Sequence, residues 1–309
     1  MNFFDLHCDT ISECYSQKVA IDKNHLQLSL CKGKKINEWV QVYAIWMDDT
    51  LEGENAYQHF CNVYDYFMQQ LEYQQSRIAL CKSPYEVDQC LAQNKRVAVL
   101  AVEGSRALGG KIERVSEFYE KGVRLMTLTW NGKSEVGDGC MVENAGGLTT
   151  FGQEVVQQME KLGMVVDVSH LAERGFWQVA KLTKRPFIAT HSNSKSICNV
   201  PRNLTDDQFR VMVERCGLVG INFYPLFING TMKAYLNELI PHIDHFLELG
   251  GEKIIAMGSD FDGAKMPADL KNISCLNRLY DLVVQRYGKE KAEMFFFENA
   301  YAFFKRNLG

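Results

Sequence analysis

Short apolar runs rich in β-branched and aromatic residues recur along the chain, separated by longer stretches with helical spacing. Eight of them read as strands: FFDL at 3–6, WVQVYAIWM at 39–47, VAVLAVE at 97–103, VRLMTLTW at 123–130, MVVDVSH at 164–170, PFIATH at 186–191, GLVGINFY at 217–224 and IIAMGSDF at 254–261. Thr150 and Gln153 read as a capping box opening a helix whose Val155, Val156, Met159 and Leu162 share one face, and Gly163 is placed to end it. Thr205 with Gln208 predicts another, ending near Cys216 and Gly217, and NAYQHFCNVYDYFMQQLEY predicts an amphipathic helix within the long stretch from Asp48 to Lys95. Strand followed by helix, repeated over 309 residues, predicts a parallel sheet closed into a (β/α)8 TIM barrel, with an open doubly wound sheet as the alternative. No linker, repeat or composition shift divides the chain, so one domain spanning 1–309 is expected.

Composition narrows the function. Hydrophobic residues make up 46% and charged residues 23%, and a formal net charge of -4 offers no basic footprint for nucleic acid or an anionic membrane. A small polar substrate fits that balance better. No apolar run approaches the roughly 18 residues needed to span a bilayer, and the N-terminus lacks the order of a signal peptide, so a cytoplasmic location is expected. The 10 cysteines are scattered without a CxxC pair, which argues against a zinc ribbon or redox motif and for reduced, buried thiols.

The chemistry gathers at the strand ends. FDLHCD near the start sets Asp5, His7 and Asp9 two residues apart, a spacing that puts all three on one face of a strand and Cys8 on the other. Glu103 ends the third predicted strand, His170 the fifth, His191 the sixth, Asn222 and Tyr224 the seventh and Asp260 the eighth. In a TIM barrel those ends form the catalytic face. Taken singly each residue is unremarkable, since a lone histidine is more often structural and Asp9 or Asp260 could cap a helix. Of 7 histidines, however, three fall on separate strand ends beside three carboxylates; His242 and His245, three apart, read as a helix-surface feature. Three imidazoles with Asp9 and Glu103 are more ligands than one tetrahedral zinc and its water can use, which points to two metal ions sharing a carboxylate. A nitrogen and oxygen donor set without thiolate suits zinc best, with manganese, cobalt or iron behind it. Two such ions would hold a bridging hydroxide for attack on an amide carbonyl, with Asp260 handling the proton and Asp262 holding the DFDG loop. The glycine-rich loop after Trp130 is expected beside the site.

In this order the motifs resemble the renal (membrane) dipeptidase family, the M19 metallopeptidases. The resemblance covers most of the chain: DLHCD, AVEG, GMVVDVSH, PFIATHSNSKSICNVPRNLTDD, GLVGINFY, HIDHFLELGGEKIIAMGSDFDG and ENAYAFF. It implies that His7 and Asp9 bind one zinc, that His170 and His191 bind the other and that Glu103 bridges. It makes Asp260 the catalytic acid or base and Arg202 the anchor of the substrate's C-terminal carboxylate, against a surface ion pair with Asp206 and Asp207 as the plain reading. Tyr224 falls where the family has a substrate-facing tyrosine. One departure stands out: VRLMTLTW places Trp130 where characterised animal members carry a substrate-contacting histidine, and an indole cannot shuttle protons near neutral pH. Asn131 beside it is the candidate to compensate.

The expectation is therefore a binuclear zinc dipeptidase acting on dipeptides, including those with a C-terminal D-residue, and family members are often homodimers. Two alternatives stay open: a related metal-dependent amidohydrolase acting on N-acyl amino acids or lactams, and a metal-binding homologue whose catalysis Trp130 has impaired.

Overall fold

The structure, a computed structural model, describes residues 1–308. Its strands are β1 (Phe3–Cys8), β2 (Trp39–Trp46), β3 (Ile78–Leu80), β4 (Arg96–Glu103), β5 (Val123–Thr127), β6 (Val165–Asp167), β7 (Ile188–Ala189), β8 (Leu218–Ile221) and β9 (Ile255–Met257). The order β2-β1-β9-β8-β7-β6-β5-β4 is parallel throughout, and pairing of β2 with β4 closes it into an eight-stranded barrel. This is the (β/α)8 arrangement, and the open sheet is excluded. All eight predicted strands are present. The ninth, β3, lies outside the ring, pairing Ile78–Leu80 with the first residues of β4 before β5 takes over at Leu100. Three residues are too few to show a period.

Several strands are shorter than their apolar runs suggest. The segment 186–191 contributes only Ile188–Ala189 to the ladder and 164–170 only Val165–Asp167, and the residues trimmed from the C-terminal ends include His170 and His191. They leave the sheet where its ladder bonds are no longer needed, and so become free to face the barrel mouth.

Alternation sorts each strand between two cores. Val42, Val99, Leu125, Val165, Ile188, Leu218 and Ala256 form one cluster on the barrel axis, closed from below by Phe297, Phe303 and Phe304. Leu100, Val102, Val166, Val219 and Ile221 instead pack outward with helix residues such as Phe60, Phe118 and Phe209. β1 departs from simple alternation. Asp5 pairs with Gln41 but Cys8 pairs with Tyr43, so three steps along β1 match two along β2, a bulge between them. The consequence is a correction: Asp5 does not share the face of His7. It accepts bonds from Gln41 Nε2 (2.9 Å), Ser259 N (2.8 Å) and Ser259 Oγ (2.5 Å), tying β1 to β2 and to the turn after β9.

Helix ends follow the sequence closely. Thr205 and Gln208 form the expected capping box on Asp206–Glu214, whereas on Thr150–Leu162 the cap is Thr149, one residue earlier, with its hydroxyl accepting from Gly152 N. The helix Gly53–Tyr73 fills the long early excursion. His242 also departs from expectation. It is fully buried rather than a surface residue, accepting from Ser194 N at 3.1 Å through Nδ1 and donating to Ile228 O at 2.8 Å through Nε2. It thereby pins the loop that follows β7.

Burial pushes His242 down to about 4, so the folded state keeps it neutral while the unfolded chain takes up a proton below about 6.5. Its contribution to stability is fully present above that pH and is lost as pH falls toward 4, by about 3 kcal/mol. Urea melts across this range for wild type and His242→Gln are predicted to show a stability gap that narrows by that amount on acidification; a gap independent of pH contradicts this.

Candidate active site

Each candidate side chain emerges where a strand ends. His7 and Asp9 flank the last residue of β1, Glu103 is the last residue of β4, and His170, His191 and Asp260 follow β6, β7 and β9 within three residues. His170 (φ 66°), Asp260 (φ 63°) and Asp262 (φ 68°) adopt a left-handed backbone that non-glycine residues rarely take. Such conformations cost of order 1–3 kcal/mol each and persist where the surroundings enforce them. Asp262 is enforced by its bonds: it accepts from Thr10 Oγ1 (2.6 Å) and from the backbone N–H of Gln27 (2.6 Å), holding the DFDG loop as expected.

Glu103 is the hub. Its Oε2 lies 3.4 Å from His7 Nε2, and its Oε1 lies 2.9 Å from His170 Nε2 and 3.5 Å from His191 Nε2. His7 Nε2 is also 3.4 Å from Asp9 Oδ2, and the two nitrogens of His170 and His191 approach to 2.9 Å. All five residues are buried. Burial and the neighbouring Glu103 push Asp9 up to about 8. Burial alone would hold His7 neutral, but Glu103 and Asp9 outweigh it and raise the imidazole well above its usual range. Burial and the Arg202 guanidinium take His170 down to about 4, and burial and His7 hold His191 well below the usual imidazole range.

These residues fit divalent cations. Two triads whose ligating atoms all lie within 4.8 Å of one another, His7–Asp9–Glu103 and Glu103–His170–His191, share one carboxylate. His7 Nε2 and Asp9 Oδ1 are buried without any hydrogen-bond partner, a costly arrangement for polar atoms that have no other use. Asn131 Oδ1 can only accept, so at 3.0 Å it takes the Nδ1 proton of His170 and leaves the Nε2 lone pair facing Glu103 and His191. Electron-rich atoms so close together repel one another unless a shared cation lies among them. A third triad, His7–His191–Asp260, brings Asp260 to the same centre.

Above these residues is a cavity of about 450 Å³. Asp9, Glu103, His170 and Asp260 are exposed to it, while His7 and His191 do not line it. Trp46 and Trp130, edge to face at 5.1 Å, make one wall, and Tyr224 and Phe227, edge to face at 4.9 Å, make another. Asp260 Oδ2 accepts from Asn222 Nδ2 at 3.0 Å. Gly263 packs so closely that a Cβ there would lie 1.9 Å from Asp9 Oδ2 and 2.7 Å from Asp260 Oδ1. Only glycine leaves both carboxylates where they are.

Arg202 is buried and has no carboxylate partner among the described residues, which removes the surface ion-pair reading. Asp206 instead pairs with His245 and Asp207 with Arg210. The guanidinium donates to His191 O at 3.0 Å, lies 5.1 Å from the Phe227 ring centroid and keeps its Nε unpartnered. Of the loop after Trp130, only Trp130 and Asn131 reach the cavity. Sequence reasoning missed Trp46, Phe227 and Gly263. Trp46 ends a predicted strand but carries no titratable group, and Gly263 sits inside the DFDG motif already noted.

The model of the membrane dipeptidase family (peptidase family M19) matches residues 1–306. An uncharacterized protein in the pqqA 5′ region of Klebsiella pneumoniae is 34% identical over 213 residues, 66% of this chain and 79% of that protein. Another, in the PQQ-III 3′ region of Acinetobacter calcoaceticus, is 32% identical over 189 residues, and the match spans only 60% of its length. The crystal structure of a dipeptidase of family M19 superposes with a TM-score of 0.93 at 25% identity, covering 100% of this chain and 99% of that one. A Rhodobacter sphaeroides metallopeptidase, crystallised with a phosphinate mimic of L-Ala-D-Ala, gives 0.93 at 24% identity over 99% of both chains. No helix among the described residues is long and apolar enough to cross a membrane. The barrel and the family match agree, and the chain belongs to the membrane dipeptidase family, peptidase family M19.

Proposed function

We propose that this chain is a binuclear zinc dipeptidase that cleaves dipeptides bearing a free C-terminal carboxylate, with an L- or a D-residue at that end. The observation that carries the reading is the pair of triads sharing Glu103. Five ligands exceed the needs of one tetrahedral zinc and its water, while a shared Glu103 gives each of two ions three. Nitrogen and oxygen donors without thiolate favour zinc over manganese, cobalt or iron. Bound there, the ions supply Lewis acidity and an activated water.

The chain's own residues do the rest. Burial and the nearby Glu103 raise the Asp260 carboxyl, so it takes a proton more readily than an exposed aspartate and can pass it to the leaving nitrogen. Asn222 holds the carboxylate in place for that transfer. Arg202, a buried cation without a carboxylate of its own, is suited to the substrate's C-terminal carboxylate. Arg202 does not itself line the cavity but lies against Phe227, which does, and Tyr224 borders the cavity beside Phe227. Trp46 and Trp130 form an apolar wall of the cavity, so Trp130 serves as packing surface and takes no part in proton transfer. The 10 cysteines are all unpaired, which supports a reducing, cytosolic setting.

Chelator-stripped protein reloaded with zinc is expected to hydrolyse free dipeptides, L-Ala-L-Ala and L-Ala-D-Ala among them, and to reject N-acetylated amino acids. Preference for the acylated compounds favours the amidohydrolase alternative, and no hydrolysis of either class after zinc loading defeats the proposal. Asp260→Asn is predicted to lower kcat by at least ~100-fold, the usual scale of general acid–base catalysis. Gly263→Ala should weaken zinc affinity by roughly 10-fold or more, because Asp9 must move, while the circular dichroism of the fold stays unchanged. Native affinity in that variant would contradict the placement of Asp9 as a ligand.

A further inference from the structure

We infer that Asp167 and Thr190 are positioning residues for His191, forming a two-step hydrogen-bond relay that fixes which imidazole nitrogen faces the metal centre. The inference rests on His191 acting as a metal ligand, as proposed above. Neither residue lines the cavity, and both lie buried below the mouth of the barrel.

The relay follows from counting donors and lone pairs. Asp167, the last residue of β6, accepts four hydrogen bonds, two on each oxygen. Oδ1 takes the backbone N–H of Ser169 (2.9 Å) and of Thr190 (3.0 Å). Oδ2 takes the hydroxyls of Thr127 (2.6 Å) and Thr190 (2.6 Å). With every lone-pair direction engaged, the carboxylate has no room for a proton of its own and can only accept. Thr190 has a single hydroxyl hydrogen, and Asp167 receives it. At the 2.8 Å contact between Thr190 Oγ1 and His191 Nδ1, the threonine oxygen must therefore be the acceptor and the imidazole the donor.

That assignment decides the tautomer. With Nδ1 carrying the hydrogen, His191 directs an Nε2 lone pair at Glu103 Oε1 (3.5 Å) and His170 Nε2 (2.9 Å), where a cation would be held. Ser169 Oγ supports the same strand end by accepting from His191 N at 3.2 Å. Asn131 plays the corresponding part for His170 with one bond instead of a chain. Because Thr127 is also bonded to Asp167, one buried carboxylate ties together the ends of β5, β6 and β7 and hands their alignment to a single imidazole.

Outer groups that orient a ligating histidine typically alter metal affinity by 10- to 100-fold. The test is chelator-competition titration of zinc, together with the visible absorption of the cobalt-substituted protein, for wild type, Thr190→Val and Thr190→Ser. Valine keeps the shape of threonine but removes the hydroxyl, whereas serine keeps the hydroxyl. The expected result is a roughly 10- to 100-fold loss of affinity at one of the two sites and an altered cobalt spectrum in Thr190→Val, with Thr190→Ser within about twofold of wild type. Thermal unfolding of the metal-free proteins serves as the control, because a merely structural threonine lowers metal-free stability without a site-selective loss of affinity. Native affinity and spectrum in Thr190→Val, or an equal loss in Thr190→Ser, overturns the relay while leaving the dipeptidase reading intact. Wild type that binds no zinc overturns both.

Discussion

One buried carboxylate sets the terms for this molecule. Glu103 lies within 3.5 Å of imidazole nitrogens from three other strand ends, and an ionised carboxylate in such a place costs several kcal/mol unless it is compensated. Burial alone would keep it protonated, yet the charge of His7 holds it well below the usual carboxylate range. The barrel makes the meeting possible. β2 and β4 pair in register from Val40 with Val97 to Trp46 with Glu103, and that seam closes the ring. One interior step below the mouth the paired residues are Ala44 and Ala101, small enough to leave space for the imidazoles above them. Closure of the sheet and convergence of these side chains are thus one geometric event.

The surrounding polar structure serves to keep that convergence rigid. Asp5 on the outer side of β1 and Asp167 on the interior side of β6 each collect several hydrogen bonds and knit neighbouring strands together just below the mouth. Three of the seven non-glycine residues with left-handed backbone, His170, Asp260 and Asp262, lie within the site or its DFDG loop, beside the closely packed Gly263.

Much of this was legible in the sequence. Eight apolar runs correspond to the eight barrel strands, and the rule that catalysis sits at strand C-termini selects His7, Asp9, Glu103, His170, His191 and Asp260 without reference to any structure. What escaped had physical causes. β3 is three residues long and carries no periodicity. Strict alternation misplaced Asp5 because a bulge is set by pairing with β2, which a single strand's pattern does not contain. His242 looked like a surface residue because its burial depends on Ser194 and Ile228, both distant in sequence. The aromatic walls were only half seen: Trp130 drew attention as a departure from a family, while Trp46 and Phe227, equally close to the cavity, carry no chemical signal by themselves.

The proposed chemistry depends on two ions sharing Glu103 at the mouth of the barrel. Anomalous diffraction above and below the zinc edge from crystals of the zinc-loaded protein tests it most directly. Two peaks per chain are expected, one bounded by His7, Asp9 and Glu103 and the other by Glu103, His170 and His191. A single peak, or density that leaves Glu103 bound to only one ion, would contradict it.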